Sequence, residues 1–300
     1  MTSLTRRQTV GLVLLTLMWG VNWPVMKLAL REMGPLHFRA LTMGLGAAAL
    51  AIYFAAQGLR MLPIGRSEWR DVAVLGLPNI LGWHAFSIIG VAHLPAGRAA
   101  ILGFTMPVWT VALGVLLYRE RLTARLLVAV VAVLLGITLL LWKEWAHLAG
   151  RPAGIAWMQA AAFCWALGTI WMRRARLTLP AQTLVVWMMA LAALAMAVLA
   201  VMLEPPQRWQ FSVAVWASLA WSVLINYGAA QVIWFALVRM LPPSTSAMSV
   251  MAVPLIGTLS APLIVGEWPH WQDLAAMVCV VVAIGAVLLR RDPSALRPVS

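Results

Sequence analysis

Acidic residues are scarce in this 300-residue chain: nine Asp and Glu stand against twenty-two Lys and Arg, for a formal charge of +13. All nine fall between apolar stretches or at their ends. No apolar stretch therefore carries a carboxylate at its middle that could change protonation or coordinate an ion. Charge of either sign is sparse, at 10% of residues against about 25% in soluble domains, which argues against an ordinary soluble fold. Cysteine is limited to Cys164 and Cys279, both inside apolar runs, with no CxxC pair and no histidine beside them. That excludes a disulfide framework and gives no metal centre. The basic surplus is scattered between apolar segments and forms no stripe or tail, so nucleic acid is not an expected partner. No HExxH, paired-aspartate motif or His/Asp cluster occurs, which argues against a lipid-modifying membrane enzyme.

What the chain has is apolar length. Hydrophobic residues make up 63% of it, and Gly, Pro and charge clusters divide the apolar runs into ten. These predict an all-α membrane protein with spans over 8–30, 36–57, 70–91, 96–118, 124–142, 153–172, 180–202, 212–236, 244–265 and 271–289. A run of 18 or more apolar residues is enough to cross about 30 Å of hydrocarbon. Most connections are short, so successive spans should be antiparallel neighbours. The opening MTSLTRRQTV resembles the basic start of a secretory signal. The apolar run continues to about residue 30 without a small-residue cleavage site and is expected to remain as the first span. With the N-terminus in the cytoplasm, fifteen Lys and Arg fall inside. Seven fall outside: Lys27, Arg31, Arg39, Arg98, Lys143, Arg151 and Arg208. This bias places both termini in the cytoplasm.

The two halves of the chain repeat. At an offset of 147, Leu94 and Pro95 fall on Leu241 and Pro242, Asn79 on Asn226, Pro107 on Pro254 and Glu120 on Glu267; at 146, Trp19 falls on Trp165. Residues 1–145 and 150–291 are expected to form one five-helix repeat each, followed by a cytoplasmic tail, 292–300. Five spans is an odd number, so the second repeat enters from the opposite side. Inverted repeats place a site at their interface near the bilayer midplane, where one half can rock against the other.

Three stretches carry a family resemblance: the opening "WGVNWPVMKLAL", the block "LPAGRAAILGFTMPVWTVALGVLLYRERLT" and its echo "LPPSTSAMSVMAVPLIGTLSAPLIVGEWP". They resemble the two EamA-type repeats of the drug/metabolite transporter superfamily, and among its members the amino-acid exporters of the YddG type. The resemblance covers essentially the whole chain. It implies a ten-helix exporter of the bacterial inner membrane with a central cavity between the repeats. Many relatives carry Glu just before the proline of the fourth or ninth span, where this chain has Met106 and Val253.

Several polar and aromatic residues interrupt the apolar spans. Trp19, Asn22, Trp23 and Met26, at i, i+3, i+4 and i+7, share one face of the first span, and Trp165, Gly168, Thr169 and Met172 take the same face of the sixth. An asparagine meeting lipid is costly, so this face should look into the bundle. Lys27, near the outer end, can snorkel to the interface. Tyr227, Gln231 and Trp234 in the eighth span match Ile80, His84 and Ser87 in the third. The candidate substrate-contacting set is Trp19, Asn22, Trp23, Asn79, His84, Trp109, Trp165, Thr169, Tyr227 and Gln231. Asn79 and Asn226 also suit bonds between helices. Pro24, Pro107 and Pro254 each free a helical carbonyl and are candidate hinges. Glu120 and Glu267 end equivalent spans and suit capping of the following helix or pairing with a loop arginine.

With no membrane-embedded carboxylate and no deep cation expected, the cavity should favour neutral or zwitterionic solutes moving without ion coupling. Methionine-rich walls suit broad specificity. The expected partners are a small-molecule substrate and membrane lipid, with no cofactor, no metal and the monomer as unit. Two alternatives stay open: export of drugs, nucleosides or other metabolites, and proton coupling through His84, whose ordinary pKa is about 6.5.

Overall fold

The structure, a computed structural model, describes residues 5–63, 65–119, 124–146, 152–240 and 252–288, and these are helical apart from short connections. Glu120, the start of the ninth expected span and the tail 292–300 lie outside the described residues. In chain order the helices are α1 (Arg6–Ala29), α2 (Pro35–Ala56), α3 (Gly65–His93), α4 (Ala96–Tyr118), α5 (Ala124–Ala146), α6 (Pro152–Arg174), α7 (Ala181–Leu203), α8 (Val213–Leu237), α9 (Val253–Val265) and α10 (Trp271–Leu288). Seven, α1–α4 and α6–α8, are long and apolar enough to cross a membrane. Leu127–Leu140, Val253–Val265 and Trp271–Ala286 are shorter apolar helices.

Local chemistry sets the helix ends. Thr5 and Gln8 form a reciprocal capping box at the start of α1. Pro35 opens α2, where a missing N–H costs nothing. Ser212 caps α8 by accepting from Val215 N.

Irregularities recur at repeat-related places. α3 widens to a π-helix over Leu77–Gly82 and α8 over Trp221–Ala229, so Asn79 and Asn226 both sit on π turns. α4 is interrupted at Phe104–Thr105, and Pro107 is the second residue of the segment Met106–Tyr118. Pro254 is likewise the second residue of α9. The preceding residues, Thr105 (φ −74°, ψ −10°) and Ala252 (φ −82°, ψ −9°), adopt nearly the same conformation. α1, by contrast, continues through Pro24.

Packing between the halves also comes in related pairs. α1 packs on α8 and α9, and α6 packs on α3 and α4; α2 pairs with α7, and α5 with α10. Hydrogen bonds identify the two ends of the bundle. At one, Glu204 accepts from Leu36 N and His37 N, Gln207 accepts from Gly34 N, and Arg31 donates to the Val265 carbonyl. At the other, Glu68 accepts from Arg60 and Thr178, and Trp187 donates to the Met61 carbonyl. α1 begins at the Arg60 end. α6 begins at the Glu204 end, where Gly154 packs on His93 and Leu94.

α4 and α9 are zipped together over the half nearer the Glu204 end. Thr258 Oγ1 donates to the Gly97 carbonyl, and Ala96 packs with Ala261 and Val265. The Met106–Tyr118 segment of α4 turns instead to α5, α6 and α10. Outward-facing side chains such as Leu194, Val201 and Leu263 leave an apolar surface of the kind lipid covers.

Four charged residues make contacts that position in the sequence does not give. Arg39 and Arg98, counted with the outer loops by position, lie inside α2 and α4 and are each only 3% exposed. Lys27 caps the end of α3, donating to the Val91 and Ala92 carbonyls. Glu267 caps not its following helix but α4 of the other half, accepting from Ala96 N at 2.6 Å.

At the Glu204 end, Glu32 accepts from both the hydroxyl and the N–H of Ser212, joining the α1–α2 and α7–α8 connections. These bonds, the hydroxyl's first, hold the Glu32 carboxyl below its ordinary pKa. A lowered folded-state value stabilises above the unfolded pKa, and the contribution is lost as pH falls through the folded value. Thermal midpoints measured against pH should therefore fall on the acid side, and Glu32→Gln should remove part of that dependence.

A buried polar seam between the halves

Four helices bring polar side chains to one place. From α8, Tyr227 is 2% exposed, and its hydroxyl accepts a hydrogen bond from Arg39 Nη1 of α2 at 2.8 Å. His84 of α3 stands on its other side, with Nδ1 3.4 Å from the same oxygen and the rings 5.8 Å apart. Met26 of α1 accepts from Arg39 Nη2 through its sulfur at 3.0 Å. Arg39, Met43 and Gly46 follow at i, i+4 and i+7 on α2 and so share a face. Gly46 seats the tyrosine: a Cβ there would stand 3.0 Å from Tyr227 Cγ and closer still to its Cβ.

The rest of the seam extends along α1, α3, α6 and α8. Asn22 accepts from Ser222 at 3.5 Å, and both are buried. Trp19 packs on Trp234 with ring centroids 5.4 Å apart, and Trp83 meets Trp165 edge-on at the same separation. Asn79 donates to the Trp165 carbonyl at 3.5 Å. Gly168 of α6 lies directly on Asn79. Asn79 thus makes a helix-to-helix contact.

The structure therefore brings together Trp19, Asn22, Asn79, His84, Trp165 and Tyr227 along one inter-half surface. Thr169 and Gln231 are half-buried beside it and make no side-chain hydrogen bond among the described residues. Trp23 stands apart, wedged between Gly103 of α4 and Gly257 of α9. So does Trp109, which donates to Gln159 at 2.9 Å and packs edge-on against Phe163, tying α4 to α6. The residue that position alone misses is Arg39. Its depth revises the expectation of a cavity without a fixed positive charge, because a guanidinium is buried at the seam.

The buried carboxylates among the described residues are engaged near helix ends: Glu68 with Arg60, and Asp273 with Arg98 at 2.9 Å. Two recesses lie away from the seam. A groove of about 730 Å³ between α2 and α7 opens outward and is walled largely by alanine, glycine and leucine, with little to orient a polar solute. A smaller recess of about 290 Å³ surrounds the Arg98–Asp273 pair, Glu267 and His270.

Comparison with known proteins matches the chain to a family. The EamA-like transporter family matches twice, at residues 8–142 and 152–289. The chain is 23% identical over 282 residues to the uncharacterized transporter YoaV of Bacillus subtilis (strain 168), covering 93% of this chain and 92% of that protein. It is 26% identical over 285 residues to a protein of Salmonella typhimurium named as a probable amino-acid metabolite efflux pump, covering 91% of each. A crystal structure 20% identical in sequence shares the fold with a TM-score of 0.65, over 93% of this chain and 96% of its own.

Proposed function

Because this chain belongs to the EamA-like transporter family, whose members cross the bacterial inner membrane many times, we propose that it exports amino acids and related small metabolites by alternating access. In this reading, residues 1–145 and 150–291 are inverted five-helix halves, ten spans in all. Both termini and the tail 292–300 are cytoplasmic. One copy contains the whole pathway, so the monomer is the working unit.

The observation that carries the reading is the polar seam. Arg39, Asn22, Ser222 and Tyr227 are buried and His84 is half-buried where the halves meet, in a bundle whose outer surface is apolar. Polar groups at that depth are expensive in a membrane protein and mark solute paths. The zipped α4–α9 contact then closes the outer end, and solute enters from the cytoplasm. Pro107 and Pro254 stand at related helix starts and serve as the hinges at which α4 and α9 part. The wider set, with Trp19, Trp165, Thr169 and Gln231, lines the path around the seam. Transport is facilitative, because the buried carboxylates that are described are already held in ion pairs.

The test is flux through proteoliposomes holding the full chain, using labelled Trp, Phe, Met, Thr, Lys and Glu with and without an imposed pH gradient. Saturable flux of the neutral members that ignores the gradient is expected. Concentrative flux driven by the gradient would replace uniport with proton coupling, and no saturable flux of any amino acid would remove the substrate class.

A further inference from the structure

Among the described residues the bundle buries two guanidinium groups, Arg39 and Arg98, and treats them differently. Arg98 has a counter-charge, with Nε donating to Asp273 Oδ1 at 2.9 Å. Arg39 is equally buried, but its bonds go to a phenol oxygen and a thioether, and its Nε has no partner. Among the described residues no carboxylate lies within ion-pair distance of it. A thioether is a weak acceptor and a phenol is neutral, so a full positive charge is left without an anion. An uncompensated buried ion is among the least favourable arrangements in a folded protein.

The open part of this guanidinium has a shape. Nε and Nη2 lie on one edge of the planar group, while Nη1 on another edge is anchored to Tyr227. The first edge offers two parallel N–H donors, the fork that a carboxylate accepts bidentately. Among the described residues only Met26 Sδ occupies it, at Nη2. Methionine is the most adaptable apolar side chain and can swing aside.

We propose that Arg39 is the receptor for the carboxylate of the transported solute, which displaces Met26 from the Nε–Nη2 edge while Tyr227 holds the group in place. The inference rests on the exporter reading for its solute. It adds that the carboxylate is required and the amino group is not: near this edge the chain supplies a cation, and no described carboxylate answers an ammonium.

The experiment uses the detergent-purified full chain and three probes of one shape: L-phenylalanine, 3-phenylpropionate with the carboxylate alone, and phenethylamine with the ammonium alone. Both carboxylates should raise the thermal midpoint in a saturable way, and phenethylamine should not. Arg39→Gln should abolish the shift. Arg39→Lys, which keeps the charge but loses the fork, should require about tenfold more ligand, the scale of one charge-assisted hydrogen bond. In proteoliposomes, 3-phenylpropionate should inhibit labelled L-phenylalanine flux. Equal shifts by the amine, no shift by either carboxylate, or a full shift surviving Arg39→Gln would overturn the proposal. If Arg39→Gln does not fold, the three probes on the unaltered chain still decide it. A carboxylate-selective shift without flux of any amino acid would keep the Arg39 site and remove the exporter reading. Saturable L-phenylalanine flux blocked equally by acid and amine would do the reverse.

Discussion

Asp273→Ala should weaken the closure of the Glu204 end by about 3–5 kcal/mol, the scale of removing the carboxylate from a buried ion pair. Arg98 and Asp273 are 3% and 5% exposed, so the charge left behind stays largely out of bulk solvent. Asp273 also accepts from His270 N at 2.9 Å, so the first turn of α10 loses its cap as well. The pair joins α4 of one half to α10 of the other, beside the zipped α4–α9 contact. Its repeat-related positions are Thr245 and Leu126, which cannot form such a pair. The effect should therefore be one-sided and shift the balance between closed and open forms of the Glu204 end by about 100- to 4,000-fold, since each 1.4 kcal/mol is tenfold.

The rate at which a membrane-impermeant thiol reagent labels Thr258→Cys, with Cys164 and Cys279 replaced by alanine, measures this directly. Thr258 is 1% exposed in the closed seam. Labelling should rise strongly with Asp273→Ala. It should return most of the way when Arg98→Met and Asp273→Leu are combined, because an apolar pair carries no desolvation cost. An unchanged rate would leave the ion pair without a role in closure.

Gly168→Ala should be among the most damaging single methyl additions at the described glycines. A Cβ there would stand 2.7 Å from Asn79 Cα and 2.8 Å from Asn79 N, so the obstacle is backbone and no rotamer change relieves it. α6 must back away from the π turn of α3, pulling apart the surface that holds Trp83 against Trp165. Overpacking of this kind costs about 1–3 kcal/mol or more. A lower thermal midpoint and loss of flux are both expected. Gly44→Ala is the control: its Cβ would meet only Ala193 Cβ at an ordinary 3.7 Å, so a change within about 0.5 kcal/mol is expected. Equal behaviour of the two variants would contradict the close approach of α6 to α3.

These residues also mark how far the fold can be read before it is seen. Apolar run length predicts a span over 36–57, and the helix is Pro35–Ala56; it predicts 180–202, and the helix is Ala181–Leu203. Segment hydropathy is a local property, so such boundaries are legible. The π turns are not, because an added residue leaves composition and hydropathy unchanged and alters only the register. Register matters for the site: face assignments at 3.6 residues per turn hold only on either side of Trp221–Ala229.

The two arginines were hidden for a different reason. Counting cations by their nearness to span ends places Arg39 and Arg98 in loops, yet their partners stand 188 and 175 positions away. A clue to Arg39 did exist. Its spacing to Gly46 on α2 puts a cation on the same face as a glycine, a residue small enough to admit an aromatic ring. The identity of that ring, Tyr227, is a tertiary fact. Trp23 and Trp109 show the opposite limit, since they share a helix face or depth with the seam residues but spend their surface on packing and on Gln159.

The paired π turns carry a consequence for ancestry and for engineering. A π turn amounts to one residue inserted into an α-helix. Two such insertions at equivalent places are most simply inherited from a single ancestral unit that already bore the bulge when its gene was duplicated. The same feature makes Tyr227, which lies inside the bulge, unusually sensitive to a change in length: deleting one residue between Trp221 and Asn226 would remove the bulge and turn Tyr227 by up to about 100° about the helix axis. Tyr227 would then leave Arg39 with nothing across the seam, even though every residue that touches it was still present.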